Sequence, residues 1–173
     1  MTSIEEGGLV FQFPDGWVAS KYDAWTCYRK HFQNLCDSKA VDILALPPES
    51  DGTLWLIEVK DYRHSRRQKE ISIFDEMAQK VRDTLAGLLA ASVNASVDEE
   101  KQFARKCCRR RRLRVVLHLE QPAPASRLFP RPFDPANVQL KLRTLLKGVD
   151  PHPRVVDRGL LPAGLGWQVD LAP

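Results

Sequence analysis

Lys39–Lys60 reads KAVDILALPPESDGTLWLIEVK, and its reading decides the fold because it sets charged residues inside two runs that otherwise have the composition of buried strands. Val41, Ile43 and Ala45 alternate with Asp42, Leu44 and Leu46; Trp55, Ile57 and Val59 alternate with Leu54, Leu56, Glu58 and Lys60. Apolar residues on both faces are the pattern of strands covered on each side. Between the runs, Pro47, Pro48, Glu49, Ser50, Asp51 and Gly52 are turn formers, so an antiparallel hairpin is expected. With Leu46 opposite Leu54 (46 + 54 = 100), every opposed pair sums to 100, and Asp42 faces Glu58 on the same side of the sheet. Neighbouring strands lie roughly 5 Å apart, which brings the two carboxylates within reach of one ion.

Two carboxylates so close on a mostly buried sheet cannot both stay charged without compensation. A divalent cation supplies it. Asp42, Glu58 and the Val59 carbonyl form a sparse oxygen set of the kind Mg²⁺ takes, leaving room for waters, and Mn²⁺ is expected to substitute. Lys60 points to the same face about 6.6 Å further along the strand. There it can orient a water or neutralise charge that builds on a phosphate, which makes Asp42, Glu58 and Lys60 the candidate catalytic residues.

Asp42 followed by Glu58-Val59-Lys60 on the next strand resembles the D…(D/E)xK signature of the PD-(D/E)XK nuclease superfamily, which includes restriction endonucleases, Holliday-junction resolvases and RecB-type nuclease domains. The resemblance covers residues 23–119. It implies an α/β fold with a restriction-endonuclease-like three-layer core, a mixed central β-sheet flanked by helices. It also implies a magnesium-dependent hydrolase, an endonuclease rather than an exonuclease, cleaving DNA in preference to RNA in defence or repair. In many relatives the helix before the sheet brings a further acid to the metal, for which Asp23 is the candidate here, although an N-capping role suits it better. The helix after the sheet can send a Gln or Lys, and Lys80, at the border of the apolar arc, is better placed than Gln79. For Lys80 the ordinary alternative is a boundary lysine that snorkels to solvent. The second reading of the chain is a catalytically inactive nucleic-acid-binding or scaffolding subunit of the same fold, working with a separate ATPase, helicase or nuclease; the sequence has no Walker A or other Gly-rich phosphate loop of its own.

The 173 residues, 43% hydrophobic, suit one domain with a single sizeable core and C-terminal accessory elements at residues 136–171. The N-terminal MTSIEEGGLV has acids where a signal peptide needs basic residues, and no apolar run approaches the ~18 residues of a membrane span, so a cytoplasmic protein without membrane contact is expected. Cys27, Cys36, Cys107 and Cys108 lack CxxC spacing and read as reduced thiols. A metal site from Cys27, His31 and Cys36 is the weaker reading beside ordinary packing.

Charge is distributed unevenly. Lys101–Arg114, KQFARKCCRRRRLR, holds eight basic residues and no acid; without it the 26 Lys and Arg fall to 18 against 22 acids, so the remainder is −4 while the whole is +4. Such asymmetry is an electrostatic footprint for a polyanion, with Arg109, Arg110, Arg111 and Arg112 as phosphate ligands. A second basic run, Arg63, Arg66, Arg67 and Lys69, follows Lys60 directly and is expected to hold phosphates beside the site, with His64 as a second proton carrier. The bland reading of both runs is a solvated surface. Dependence on a partner, an ATPase or helicase subunit, or a homodimer is also expected, because cutting both strands of a duplex usually needs two active sites.

In chain order, Leu9–Phe13 and Trp17–Ser20, split by Pro14-Asp15-Gly16, suggest a small hairpin. Asp23–Leu35 has helical spacing through Trp25, Tyr28, Phe32 and Leu35, with Asp23 as N-cap. Ser72–Ala91 reads as a long helix with a Ser72/Asp75 capping box and an apolar face of Ile73, Met77, Val81, Leu85, Leu88 and Leu89. After a polar connection at 95–102 come a strand at Arg114–Glu120 with His118 as an ordinary strand residue, an irregular connection at Gln121–Pro135, a short helix at Ala136–Leu146, and edge strands at Arg154–Val156 and Trp167–Leu171.

Overall fold

The computed structural model describes residues 1–64, 67–122 and 131–173. Strands β1 (Thr2–Glu6), β2 (Leu9–Phe13) and β8 (Gln168–Leu171) form a three-stranded sheet in the order β1-β2-β8. Strands β3 (Val18–Lys21), β4 (Ile43–Leu46), β5 (Thr53–Asp61), β6 (Arg112–Glu120) and β7 (Arg154–Val156) form a five-stranded sheet in that order. The larger sheet is mixed: β3, β4 and β5 pair antiparallel, and β5, β6 and β7 pair parallel. Helices α1 (Ile73–Asn94) and α2 (Asp98–Cys108) make the crossover from β5 to β6, and α3 (Pro135–Leu145) precedes β7.

Strand alternation assigns the two faces of the large sheet to different partners. Leu44, Leu46, Leu54, Leu56, Val115, Leu117 and Leu119 pack under the helices with Met77, Val81, Leu88 and Leu142. Ile43, Ala45, Ile57, Val59 and Val116 pack on the small sheet with Leu9, Phe11, Phe13 and Trp167. The protein is thus mixed α/β with two sheets, helices lying on one face of the larger and the smaller sheet covering the other. The mixed sheet with flanking helices is as expected; the second sheet of β1, β2 and β8 was not foreseen. Asp42, Glu58 and Lys60 fall on the helix face by the same alternation.

The β4–β5 register follows the arithmetic read from the sequence: Ile43 pairs Ile57, Leu44 pairs Leu56 and Ala45 pairs Trp55, each summing to 100. Turn chemistry fixes it, with Gly52 at φ +70° closing the hairpin after Pro47-Pro48. The N-terminal hairpin differs from expectation. β2 pairs with β1 through Gly7-Gly8, at φ +58° and +71°, as a two-residue primed turn requires, and β3 leaves for the other sheet after Pro14-Asp15-Gly16.

The expected helix at Asp23–Leu35 is a 3-10 turn at Tyr22–Ala24 followed by a π-helical turn at Tyr28–Phe32. Asp23 caps nothing. Glu100 of α2 takes that role from another element, accepting from Thr26 N at 2.6 Å and Cys27 N at 3.0 Å. Tyr22, Trp25 and Tyr28 are held together by ring contacts of 5.0 and 5.6 Å, and Leu35 is 57% exposed. In α1 the Ser72 cap is as expected, its hydroxyl accepting from Asp75 N at 3.1 Å. Its buried face, however, is rotated toward Glu76, Asp83, Thr84 and Gly87, leaving Leu89 65% exposed. Residues 95–102 were expected to be a connection, yet α2 begins inside them, with Asp98, Glu99 and Glu100 favourable at its N-terminus. The edge strands and α3 lie where expected, α3 being capped by Asp134 with Pro135 at the first helical position. Of the connection at 121–135, residues 123–130 lie outside those described. No helix among the described residues is long and apolar enough to cross a membrane.

Candidate functional site

Glu58, 1% exposed on the central strand, is the centre of a buried charge network. Its Oε1 meets two ammonium groups, Lys60 Nζ at 2.5 Å and Lys80 Nζ at 2.5 Å. Asp42 stands just before β4. Its Oδ2 accepts from Val59 N at 2.7 Å, and its Oδ1 lies 3.5 Å from Lys80 Nζ. Lys80 therefore bridges both acids from α1, and its side chain is only 13% exposed, so the snorkelling reading of this residue is overturned. Asp42, Glu58, Lys60 and Lys80 converge as the pairing and strand alternation require.

Glu76, one helical turn before Lys80 on α1, was missed in the sequence. Its carboxylate contacts Lys60 at 3.7 Å, Arg67 Nη2 at 2.8 Å and Lys69. The signal was present: Glu76 is i−4 to Lys80 and so shares its helix face. Asp83, at i+3, continues the stripe and accepts from Lys39 N at 2.9 Å.

Burial drives the electrostatics. Desolvation, then repulsion from Asp42, pushes Glu58 up to about 7 in spite of the two lysines. Burial would raise Glu76 as well, but Lys69, Lys60 and Arg67 more than offset it and hold the carboxyl at about 2. Burial opposes protonation of Lys80, and the Glu58 and Asp42 carboxylates outweigh it, holding the ammonium above its ordinary range. Asp23 is raised by burial and then by Asp42, and its Oδ1 is buried without a partner. Asp23 lines, with Tyr28, Arg29, Lys39, Asp42 and Lys80, an opening of about 320 Å³ that leads to the network.

A metal at this pair must be tested against those contacts. Glu58 Oε2 is buried with no partner and is available as a ligand. The remaining oxygens are engaged, Asp42 Oδ2 by Val59 N and the other two by Lys80, so Mg²⁺ or Mn²⁺ fits only where the Lys80 ammonium withdraws. Among the described residues no cluster of three or more His, Cys, Asp or Glu is gathered for a metal, which also sets aside Cys27, His31 and Cys36.

The two basic runs have different fates. Arg63 is held by Asp61 through Nε at 2.9 Å and Nη2 at 2.7 Å, Arg67 is held by Tyr62, Ile71 and Glu76, and Lys69 by Glu76. Their charge is spent on the protein's own acceptors. Arg66 lies outside the described residues, and His64 is exposed. Arg109, Arg111 and Arg112 are exposed at the opposite end of the sheet, since Arg112 pairs with Thr53 at the start of β5. That is roughly 17 Å along the strand from Glu58. His118 is a buried strand residue whose Nε2 lies 3.0 Å from Glu120 Oε1.

No family model matches the chain, and no solved structure matches it. The chain is similar to a cysteine–tRNA ligase of Neisseria meningitidis serogroup A / serotype 4A, 36% identical in an alignment 170 residues long that takes in 80% of this chain. It spans about a quarter, 24%, of that ligase's length. This similarity overturns the nuclease expectation, and with it the magnesium-dependent phosphodiesterase, endonuclease and hydrolase assignments. It lends no support either to the inactive subunit serving a separate ATPase or nuclease. The physical reason lies in the size of the two signals. One acid and an ExK triplet at a strand end are four residues, and here their charges are neutralised from within by Lys60 and Lys80, whereas the ligase similarity extends over four-fifths of the chain.

Proposed function

We propose that this chain is a tRNA-contacting module, related to a part of a tRNA ligase and serving to hold tRNA. The observation that carries the reading is the 36% identity over 80% of the chain. Because the chain spans 24% of that ligase, we assign it contact with tRNA and not the whole ligation reaction. The charge distribution supports this: the surplus of positive charge is confined to Lys101–Arg114, as a surface for a polyanion would have it. The earlier preference for DNA came with the nuclease resemblance, and RNA replaces it. A tRNA contact implies a cytoplasmic protein, in keeping with four free cysteines.

The chain reads as one domain, an assignment supported by β8 at the C-terminal end pairing with β2 near the N-terminus. The finer fold reading, a three-layer core of the restriction-endonuclease-like kind, is supported by the helical crossover between parallel β5 and β6, and it concerns the scaffold alone. At the charge network we take Lys80 as the resident cation of Asp42 and Glu58, with Mg²⁺ or Mn²⁺ as a competitor for its place.

Fluorescence anisotropy of a labelled tRNA transcript tests the function, with duplex DNA of equal mass as competitor. The expected result is a complex with Kd below about 10 µM at 100 mM salt that tRNA displaces better than the duplex. Absence of the complex, or equal displacement by DNA, refutes the reading.

A further inference from the structure

We infer that the groove between the β4–β5 hairpin and the α2–β6 turn is where tRNA backbone phosphates sit, with Lys106, Arg109, Arg111 and Arg112 as ligands and Arg110 as a strut; this rests on the tRNA-contact reading above. The groove encloses about 660 Å³, with Glu49 to Gly52 on one wall and Lys106 and Arg109 to Arg112 on the other.

The backbone explains why these arginines are displayed. Gly52, at φ +70°, turns its carbonyl toward the basic run and accepts from both Arg111 N at 2.9 Å and Arg112 N at 3.1 Å. The run is thereby pinned to the hairpin. The Arg110 guanidinium spans the gap to Pro47 O at 3.1 Å and Pro48 O at 3.4 Å, so its donors are engaged in the protein itself. Arg114 is likewise engaged, with Asp150 at 2.8 Å. Lys106, Arg109, Arg111 and Arg112 are exposed, and no acid among the described residues forms an ion pair with them, in contrast to Arg63, Arg67 and Lys69 at the other end of β5.

Five basic residues against Glu49 and Asp51 give the lining a net charge of +3 (5 − 2). Guanidinium forks match phosphate oxygens two at a time, and three of them near one another suit successive phosphates of a strand. The lining holds no aromatic ring on which a base can stack, so the groove reads backbone and not sequence.

The test titrates labelled tRNA transcripts of two acceptor identities with the parent chain, with K106Q/R109Q/R111Q/R112Q, and with E49Q/D51N, at 50, 100 and 200 mM KCl. Circular-dichroism melting confirms that each variant is folded. Four lost phosphate contacts should flatten the log–log salt slope by about 3 units and, at 100 mM KCl, weaken both tRNAs equally, by at least about 30-fold. Removing the acidic wall should tighten binding about threefold or more, since those carboxylates face the phosphates. If the parent binds tRNA and the quadruple variant keeps its affinity and slope, the groove assignment is overturned while the tRNA reading stands. Unchanged affinity in E49Q/D51N would place the phosphates outside the groove and overturn it too. If the parent fails to bind tRNA at all, the tRNA reading itself falls.

Discussion

Replacing Lys80 by methionine keeps the unbranched stem, one atom shorter, and deletes the one charge shared by Asp42 and Glu58. Both acids lose a partner, Glu58 at 2.5 Å and Asp42 at 3.5 Å, but each retains another, Lys60 for Glu58 and the Val59 N–H for Asp42. Removing one member of a buried ion pair typically costs 3–5 kcal/mol, and the retained partners put K80M at the lower end, about 3 kcal/mol at pH 9. The loss must depend on pH. Glu58 already sits at about 7 in the parent, above its unfolded value of 4.5, and losing Lys80 raises it further. A native state that holds a proton the unfolded state has released loses stability as pH rises. At pH 5.5 the variant's Glu58 is protonated and needs no counter-charge, so the penalty there should shrink to about 1 kcal/mol, that of Asp42 alone. Urea unfolding followed by tryptophan fluorescence at pH 5.5 and 9 measures both numbers. E58Q/K80M should recover about 2 kcal/mol of the loss at pH 9, the coupling between two touching groups. An identical penalty at both pH values, or a double variant no more stable than K80M, would refute the bridging role.

Three further outcomes are expected. Glu76, held at about 2 against 4.5 unfolded, contributes stability that is present above pH 4.5 and lost as pH falls toward 2, about 3 kcal/mol in all; urea midpoints at pH 6 and 3 should show that E76Q lacks this acid limb. Gly87→Ala places a methyl 2.2 Å from Tyr22 Oη and 3.2 Å from the Phe32 ring, so its melting temperature should drop, with about 1–3 kcal/mol lost to overpacking in chemical unfolding. Glu100→Ala uncaps Thr26 N and Cys27 N and should cost about 1–2 kcal/mol, with hydrogen exchange accelerated at those two amides and not in β4.

The β4–β5 hairpin was legible because both runs are covered on two sides and the turn formers between them leave one register that opposes apolar residues throughout. The site followed from it, since period-2 alternation alone sends Asp42, Glu58 and Lys60 toward the helices. Glu76 was not seen because attention to apolar periodicity on α1 passes over a buried acid, and a buried acid is legible only through its partners Arg67 and Lys69, which looked like phosphate ligands. β1 was hidden because it is an edge strand with Ser3 and Glu5 on its solvated face and Ile4 flanked by the polar Thr2 and Glu6 on the other, which leaves one apolar residue in five. The irregular turns at Tyr22–Phe32 were illegible for a different reason. Their geometry is set by Glu100, some seventy residues away, and by ring contacts that no local spacing encodes. The likeness to a tRNA ligase was out of reach of motif reading because it rests on overall identity along four-fifths of the chain and not on a short motif.

The two ends of β5 show why a motif and a binding surface need not coincide. At the Glu58 end, Asp42, Glu58 and Glu76 face Lys60, Lys69, Lys80 and Arg67, three acids against four bases, and the short contacts among them leave little field to extend into solvent. At the Gly52 end the lining carries +3; none of its five cations has an acid among the described residues within ion-pair distance, and Arg110 alone is engaged, by the Pro47 and Pro48 carbonyls. A polyanion responds to uncompensated charge, because only cations without a protein partner can release its condensed counterions. A sequence in which Arg63, Arg67 and Lys69 are counted beside Arg109, Arg111 and Arg112 therefore overstates the Glu58 end, and the side-chain pairing reverses the ranking. By that argument charge reversal at Arg67 should lower stability and leave the salt dependence of tRNA binding unchanged, whereas charge reversal at Arg111 should alter the salt dependence and leave stability unchanged.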